Sequence, residues 1–99
     1  MNRNMMRQAQ QLQAQLQKIQ EELETLTVEG TAGGGVVKVV MTGKQVVESV
    51  EIDPEAVEDV ELLQDLMAAA FNDAINKTQE IAQEKMGGIT GGLNIPGLT

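Results

Sequence analysis

The chain has 99 residues, a net charge of −8, a single aromatic residue, and neither cysteine nor histidine. This length predicts one domain, and the missing residue types exclude disulfides, thiolate metal sites and Ser–His or Cys–His nucleophilic pairs. No early apolar stretch is typical of a signal peptide, and the longest apolar run, Leu66–Phe71, is too short to cross a bilayer. We therefore expect a cytoplasmic protein with no membrane partner and no enzymatic activity of the nucleophilic kind.

The charges are unevenly distributed along the chain. Residues 1–20 contain three basic residues and no acid, whereas residues 45–73 contain nine acids and no base. Such an asymmetry is more informative about partners than the total charge is. The sequence predicts a polarised molecule with a basic front end and an acidic middle.

Apolar residues near the N-terminus recur at alternating spacings of four and three, which predicts a long helix with a coiled-coil-like heptad seam. At about 1.5 Å per residue the helix would extend roughly 35 Å. Two interpretations stay open: the seam packs on the chain's own sheet and second helix, or part of it meets another subunit. Both interpretations hold if they apply to different parts of the seam. The seam consists of Met5, Ala9, Leu12, Leu16, Ile19, Leu23 and Leu26.

Three segments rich in β-branched residues follow the helix. We expect strands at Thr27–Ala32, Val36–Met41 and Gln45–Ile52, joined by connections at Gly33–Gly35 and Thr42–Lys44. Both connections are short enough for hairpins, so the strands are predicted to form an antiparallel meander.

The glycine run between the first two strands resembles a phosphate-binding loop only superficially. Gly30 and Gly35 have the Walker spacing, but Val36 and Val37 occupy the places of the Lys and Ser/Thr that such a loop needs. The dinucleotide-binding pattern also fails, because Lys38 stands where its last glycine should be. The glycines are therefore predicted to supply the positive φ angles of a tight turn.

A second long helix is predicted after the strands. Asp53–Glu55 is typical of a helix start, Asp59 could restart the helix after a bend, and Gly87–Gly88 is predicted to stop it. One face is apolar at the spacing of a core-facing helix. That face contains Val60, Leu63, Met67, Ala70, Ala74, Thr78 and Ile81, and is widened by Leu66, Phe71 and Ala82.

The predicted fold class is therefore α+β, in the order α-β-β-β-α, with a long N-terminal helix, a three-stranded antiparallel meander and a long C-terminal helix. A small core with one aromatic residue beside a long apolar seam predicts a homodimer. We expect a single domain at residues 1–88, followed by a Gly/Pro-rich, mobile tail at residues 89–99.

An acidic run in the middle of the chain is a candidate cation site only at first sight. It lacks the spacing of a calcium loop, and part of it is explained as helix-start chemistry and the rest as a solvated face. No metal site and no other cofactor is therefore predicted. The run consists of Glu48, Glu51, Asp53, Glu55, Glu58, Asp59 and Glu61.

The basic residues of the first helix form a more informative pattern. At about 100° per residue, Arg3, Arg7 and Lys18 fall within roughly 60° of one another, at the b, f and c positions of the heptad and away from the seam. Such a stripe is either a solvated helix face or a surface that contacts nucleic-acid phosphates. The shortage of aromatic residues excludes base stacking as the mode of binding. The same stripe carries Gln10, Gln11 and Gln17.

The chain resembles the YbaB/EbfC family of bacterial nucleoid-associated proteins over nearly its whole length. The most specific segments are Val28–Gly35, Ile52–Pro54, Ala69–Ala74 and Gln83–Met86, in this order. The resemblance implies a small homodimer that binds double-stranded DNA without catalysis, with helices that project from it like the arms of tweezers. It further implies roles in nucleoid organisation and gene regulation, and a place in the cytoplasm at the nucleoid.

Together, the stripe and the resemblance predict the DNA-binding residues as Arg3, Arg7 and Lys18, helped by Lys77 and Lys85 of the second helix. Lys38 and Lys44 on the sheet are the alternative location of the site. A second hypothesis has a different functional class: a protein-interaction adaptor dimer whose acidic middle and exposed helices dock protein partners, with weak or no DNA binding.

Overall fold

The computed structural model describes the backbone of residues 2–93 and the side chains of residues 2–88. Helix α1, Arg3–Thr25, is followed by three strands, a 3₁₀ helix and the long helix α2, Val60–Leu93. This order confirms the predicted α-β-β-β-α fold and adds one short element to it. The strands are β1, Thr27–Ala32, β2, Val37–Thr42, and β3, Val47–Ile52, and the 3₁₀ helix is Pro54–Glu58.

The three strands form one antiparallel sheet in the order β1-β2-β3, which confirms the meander. Gly30 of β1 lies opposite Val39 of β2, and Val39 lies opposite Val50 of β3, so these residues share one face. Helix α2 covers this face over β1 and β2. The buried core between helix and sheet consists of Val28, Val37, Val39, Met41, Ala70 and Ala74.

Strand β3 extends beyond the cover that α2 provides. Val47 and Val50 lie on the α2 side of the sheet, opposite Met41 and Val39, yet they are 41% and 39% exposed. The opposite face of β3 is polar and carries Ser49. Val47 and Val50 of β3 and Val46, the residue before the strand, are all exposed, and these three valines form the β3 strip.

The glycine run is a turn, as predicted. Gly33, Gly34 and Gly35 have φ angles of +64°, +71° and +101°, which side chains with a Cβ rarely adopt. The second connection differs slightly from the prediction, because β3 begins at Val47 rather than Gln45. Gln45 itself has a φ of +64°, and its side-chain amide donates a hydrogen bond to Thr78 Oγ1 at 3.2 Å.

Helix α1 is anchored only at its C-terminal end. Ile19 and Leu23 are buried, and Gly43 lies so close that an added Cβ would be 2.6 Å from the Leu23 carbonyl oxygen. Residues 2–11 are all exposed. The seam is thus buried at Ile19 and Leu23, half-buried at Leu12 and Leu16, and exposed at Met5 and Ala9, so its first turns leave the question of a second subunit open. Asn2 caps the helix, its side-chain oxygen accepting from Met5 N at 2.8 Å.

The chain enters α2 through the predicted capping residues. Asp53 accepts a hydrogen bond from Glu55 N at 3.0 Å to start the 3₁₀ helix, and Asp59 accepts from Leu62 N at 3.1 Å to start α2. Val60 is exposed, so its predicted place on the core face is wrong. The reason is that the first turn of α2 precedes the part of the helix that lies on the sheet. Ala70, Ala74 and Thr78 are buried as predicted.

The predicted end of the second helix at Gly87–Gly88 is wrong, because α2 continues to Leu93. Glycine disfavours a helix interior by about 1 kcal/mol, but it ends a helix only where it takes up a left-handed conformation. Both glycines here lie within the helix. Residues 94–99 of the predicted tail lie outside the described residues, and the division into a domain at 1–88 and a mobile tail at 89–99 stays a prediction.

Candidate nucleic-acid interface

The basic stripe of α1 lies on the part of the helix that leaves the body of the protein. Arg3, Arg7 and Lys18 are exposed, and the helix carries no acid before Glu21. Within residues 2–88, Arg3 and Arg7 make no ion pair. The stripe spans about 22 Å at ~1.5 Å per residue. Arg3 and Arg7 therefore present positive charge that no carboxylate of residues 2–88 pairs with, whereas Lys18 is attracted to Glu22 on the next turn.

The two lysines predicted to help the stripe are occupied elsewhere. Lys85 Nζ donates to Glu22 Oε2 at 2.6 Å, which ties α2 to α1 close to the anchored end of α1. Lys77 Nζ donates to the Glu29 carbonyl oxygen at 2.7 Å and lies 3.2 Å from Asp73 Oδ2. The structure thus places both lysines in contacts within the chain, and their role toward DNA stays a prediction.

These contacts lower the pKa values of two carboxylates. The Lys85 hydrogen bond lowers the pKa of Glu22 below its usual value, and Lys18 adds a smaller attraction. The pKa of Asp73 is lowered chiefly by the hydrogen bond it accepts from Thr31 N at 3.0 Å, and next by Lys77. Asp73 therefore joins α2 to β1 through its charged form.

Acid should weaken this contact between Asp73 of α2 and Thr31 of β1. Because the folded-state pKa of Asp73 lies below its ordinary value of 3.8, its contribution to stability is complete above that value and is lost as the pH falls through the folded-state pKa. We expect the urea midpoint of Asp73→Asn to fall less steeply than that of the natural chain between about pH 5 and about pH 2. Asp65→Asn removes an exposed charge from the same helix and should keep the natural steepness. Equal slopes for all three proteins would contradict the assigned role of Asp73.

The acidic run does not assemble into a cation site within the described residues, where no three acidic side chains converge on one point. Asp53 and Asp59 serve as helix caps, as the sequence indicated. Neither α1 nor the described length of α2 combines the length and apolar character of a membrane-spanning helix.

Sequence reasoning missed one exposed apolar surface of the protein, the β3 strip. The alternation of valines in this segment predicted a strand correctly. It did not predict that α2 would lie over β1 and β2 and leave the apolar side of β3 uncovered, because that placement depends on the fit between Gly30 and the two alanines of α2, Ala70 and Ala74.

The fold and these surfaces define a small α+β protein whose first helix projects a basic N-terminal part from a sheet with one uncovered apolar edge. The chain belongs to the YbaB/EbfC DNA-binding family, whose family model matches residues 1–93. The family resemblance stated from the sequence is thereby confirmed.

Two relatives agree with this assignment, and a solved structure shares the fold. The chain is 58% identical over 96 residues to a nucleoid-associated protein of Desulforamulus reducens, covering 95% of this chain and 91% of the relative. It is 55% identical over 93 residues to a nucleoid-associated protein of Dictyoglomus turgidum, covering 92% and 89%. The crystal structure of an uncharacterized protein from Helicobacter pylori has the same fold, with a TM-score of 0.80 at 20% identity, covering 90% of this chain and 97% of that one.

Proposed function

We propose that this protein is a non-enzymatic nucleoid-associated protein that binds double-stranded DNA as a homodimer with little sequence specificity. It acts in the cytoplasm, at the nucleoid, where it contributes to nucleoid organisation and gene regulation, and it needs no cofactor. The family assignment and the names of the relatives support this function.

The observation that carries the proposal is the exposed stripe of Arg3, Arg7 and Lys18 on α1, in which Arg3 and Arg7 make no ion pair within residues 2–88. Arginine and lysine on such a surface bind backbone phosphates and release the counterions that surround DNA. The acids of α1, Glu21, Glu22 and Glu24, all lie at its anchored end, and the nine acids of residues 45–73 lie outside the helix. The part of α1 before Glu21 therefore carries a local charge of +3 despite the net charge of −8.

The same composition explains the expected lack of sequence preference. Phosphate contacts position a protein on the duplex but carry no sequence information. Phe71, the only aromatic residue, is half-buried against the core, so it does not form a platform for base stacking. Binding by the stripe therefore depends on charge and on the spacing of the phosphates.

A second copy of the chain is the partner that the β3 strip fits. Its three valines are exposed within five residues of chain at the edge of the sheet, and Val47 and Val50 share the apolar side, an arrangement that a small protein covers by association. Obligate dimer interfaces resemble a protein core cut in half, and valines from two strips would supply such a core. A dimer of this kind projects two copies of α1 and hence two basic stripes.

Placing a charge in the strip should disrupt the dimer. We expect Val50→Asp to raise the dimer dissociation constant by about 100-fold or more, because a carboxylate would be buried without a partner. The matched control is Ser49→Asp, which adds the same charge to the polar face of the same strand. Sedimentation at micromolar concentration should show twice the chain mass for the natural protein and the control. A dimer that tolerates Val50→Asp would place the interface elsewhere.

The function itself is tested by titrating fluorescent duplex DNA at two salt concentrations and following its anisotropy. We expect binding at low salt, similar affinities for unrelated duplexes, and a steep loss of affinity as salt rises. Absence of binding at low salt would refute the proposal and favour the protein-interaction adaptor.

A further inference from the structure

The basic stripe of α1 is charged at its two ends and neutral in its middle. Arg3 and Arg7 form the N-terminal end, Lys18 forms the other end, and no charged residue lies between Arg7 and Lys18. Glu21 falls on the same side of the helix by its spacing and ends the basic part. Because each residue advances the helix by ~1.5 Å, the interval from Arg7 to Lys18 is about 16 Å. The stripe therefore offers positive charge at two separate points rather than along a continuous row.

The neutral middle of the stripe carries one small residue and three amide side chains. At about 100° per residue, Ala14 lies within roughly 20° of Arg3 around the helix, and the three glutamines lie within roughly 60° of Ala14. All four side chains are exposed. Ile19 and Leu23, through which α1 packs on the body of the protein, lie roughly 140° and 180° from Ala14. The middle therefore faces away from the body and can approach a partner closely. The three glutamines are Gln10, Gln11 and Gln17.

The dimensions of duplex DNA decide which groove such a helix enters. An α-helix with its side chains is about 10–12 Å across, which matches the major groove of B-form DNA at about 12 Å and exceeds the minor groove at about 6 Å. The two backbones bound the groove, so the ends of a helix that crosses it lie near phosphates of opposite strands and its middle lies over base edges. A helix laid along one strand would instead place its neutral middle opposite phosphates, which bind amides less strongly than they bind arginine or lysine.

We propose that α1 enters the major groove of B-form DNA, with Arg3 and Arg7 on the phosphates of one strand, Lys18 on those of the other, and the glutamines of the middle on adenines. This inference rests on the proposed function and adds a groove and a base to it. Glutamine makes a bidentate contact with N6 and N7 of adenine, and alanine can contact the methyl group of thymine. Every duplex of mixed sequence offers A·T pairs along its length, so unrelated duplexes still bind with similar affinity.

The first test removes one hydrogen-bond acceptor from the major groove. Anisotropy is followed at low salt for a short duplex of alternating A·T pairs and for the same duplex containing 7-deazaadenine. In this base a C–H group replaces N7, while base pairing, the minor groove and the phosphates are unchanged. The natural chain should bind the 7-deazaadenine duplex about tenfold more weakly, within the range for the loss of a bidentate contact. The salt slope should be the same for both duplexes, because the phosphate contacts are the same.

Variants assign this effect to the glutamines. Changing the three glutamines of the middle to alanine should make the protein bind both duplexes equally, at the weaker affinity and with the natural salt slope. The matched control makes the same three changes on the flanks of α1, roughly 100–120° from Ala14, and should keep the natural difference. Alanine favours a helix at least as well as glutamine does, so both variants retain α1. The glutamine variant is Gln10→Ala, Gln11→Ala, Gln17→Ala, and the control is Gln8→Ala, Gln13→Ala, Gln15→Ala.

Duplex RNA of the corresponding sequence tests the groove itself. It carries the same number of phosphate charges, but its major groove is deep and narrow, so side chains cannot read it. We expect the natural chain to bind this RNA at least about tenfold more weakly than the A·T DNA duplex at the same salt concentration.

The possible results separate this inference from the proposed function. Three results would overturn the assignment of the major groove and leave DNA binding standing: equal affinity for RNA and DNA, equal affinity of the natural chain for the two DNA duplexes, or a glutamine variant that still distinguishes them. Failure of the natural chain to bind any of the three duplexes at low salt would refute the proposed function, and this inference with it.

Discussion

Replacing Gly30 by alanine is expected to lower the free energy of unfolding by about 3 kcal/mol, the upper part of the usual range for overpacked cores. A Cβ at this position would lie 2.3 Å from the Ala70 carbonyl oxygen and 2.5 Å from Ala74 N. These are backbone atoms of α2, so a rotamer change cannot relieve the clash and the helix must move off the sheet. Urea unfolding of the two proteins measures the difference.

The matched control is Gly88→Ala, the same chemical change at a position where an added Cβ meets nothing within 4 Å. Gly88 lies inside α2, where alanine is favoured over glycine by about 0.5–1 kcal/mol. The control should therefore raise stability while Gly30→Ala lowers it. Equal stability of Gly30→Ala and the natural chain would mean that α2 does not approach β1 this closely.

The second large effect is expected on DNA binding. The triple variant Arg3→Ala, Arg7→Ala, Lys18→Ala should bind every duplex about 100-fold or more weakly near 0.1 M salt, and removal of each phosphate-binding side chain should reduce the salt slope by about one unit. The dimer should survive, because the three side chains lie off the heptad seam and away from the β3 strip. Anisotropy titrations across a salt series measure both quantities.

The control removes positive charge from a different surface. Lys38→Ala, Lys44→Ala changes the alternative location on β2 and the connection after it. It should lower affinity much less than the triple variant, because these lysines are not part of the stripe. A folded triple variant with natural affinity and salt slope would move the DNA-binding site to Lys38 and Lys44.

Much of the fold could be predicted because its signals are local. The alternation in Thr27–Ala32 predicted β1 with its observed bounds, and the glycine run predicted a turn with positive φ angles. The errors arise where a local signal competes with a tertiary contact. The sequence around Gln45 predicts a strand, yet Gln45 has a left-handed conformation and donates a hydrogen bond to Thr78 on α2, 33 residues away.

For the candidate site, too, the sequence predicted the local features but not the contacts between distant residues. The stripe on α1 follows from helical spacing alone, and the structure shows its three members exposed. The contacts of Lys77 and Lys85 join residues 48 and 63 positions apart, and a single sequence contains no periodic signal for such pairs. For the same reason the sequence does not predict a groove lined by Gly33, Ala56 and Leu62, because its walls come from three separate elements.

The anchoring of α1 at one end gives the protein the mechanics of a lever. The helix would pivot where Gly43 packs against Leu23, which is the fulcrum of this lever, and the Glu22–Lys85 ion pair restrains it beside that point. With about 30 Å of helix beyond the fulcrum, a tilt of about 6° moves Arg3 by about 3 Å. Such a tilt strains the packing of Ile19 and Leu23 and one partly exposed ion pair, and salt weakens the ion pair by screening it. In the proposed dimer, small tilts of the two helices would change the gap between their N-terminal ends, and the pair could then adjust to a duplex whose groove width varies along its length.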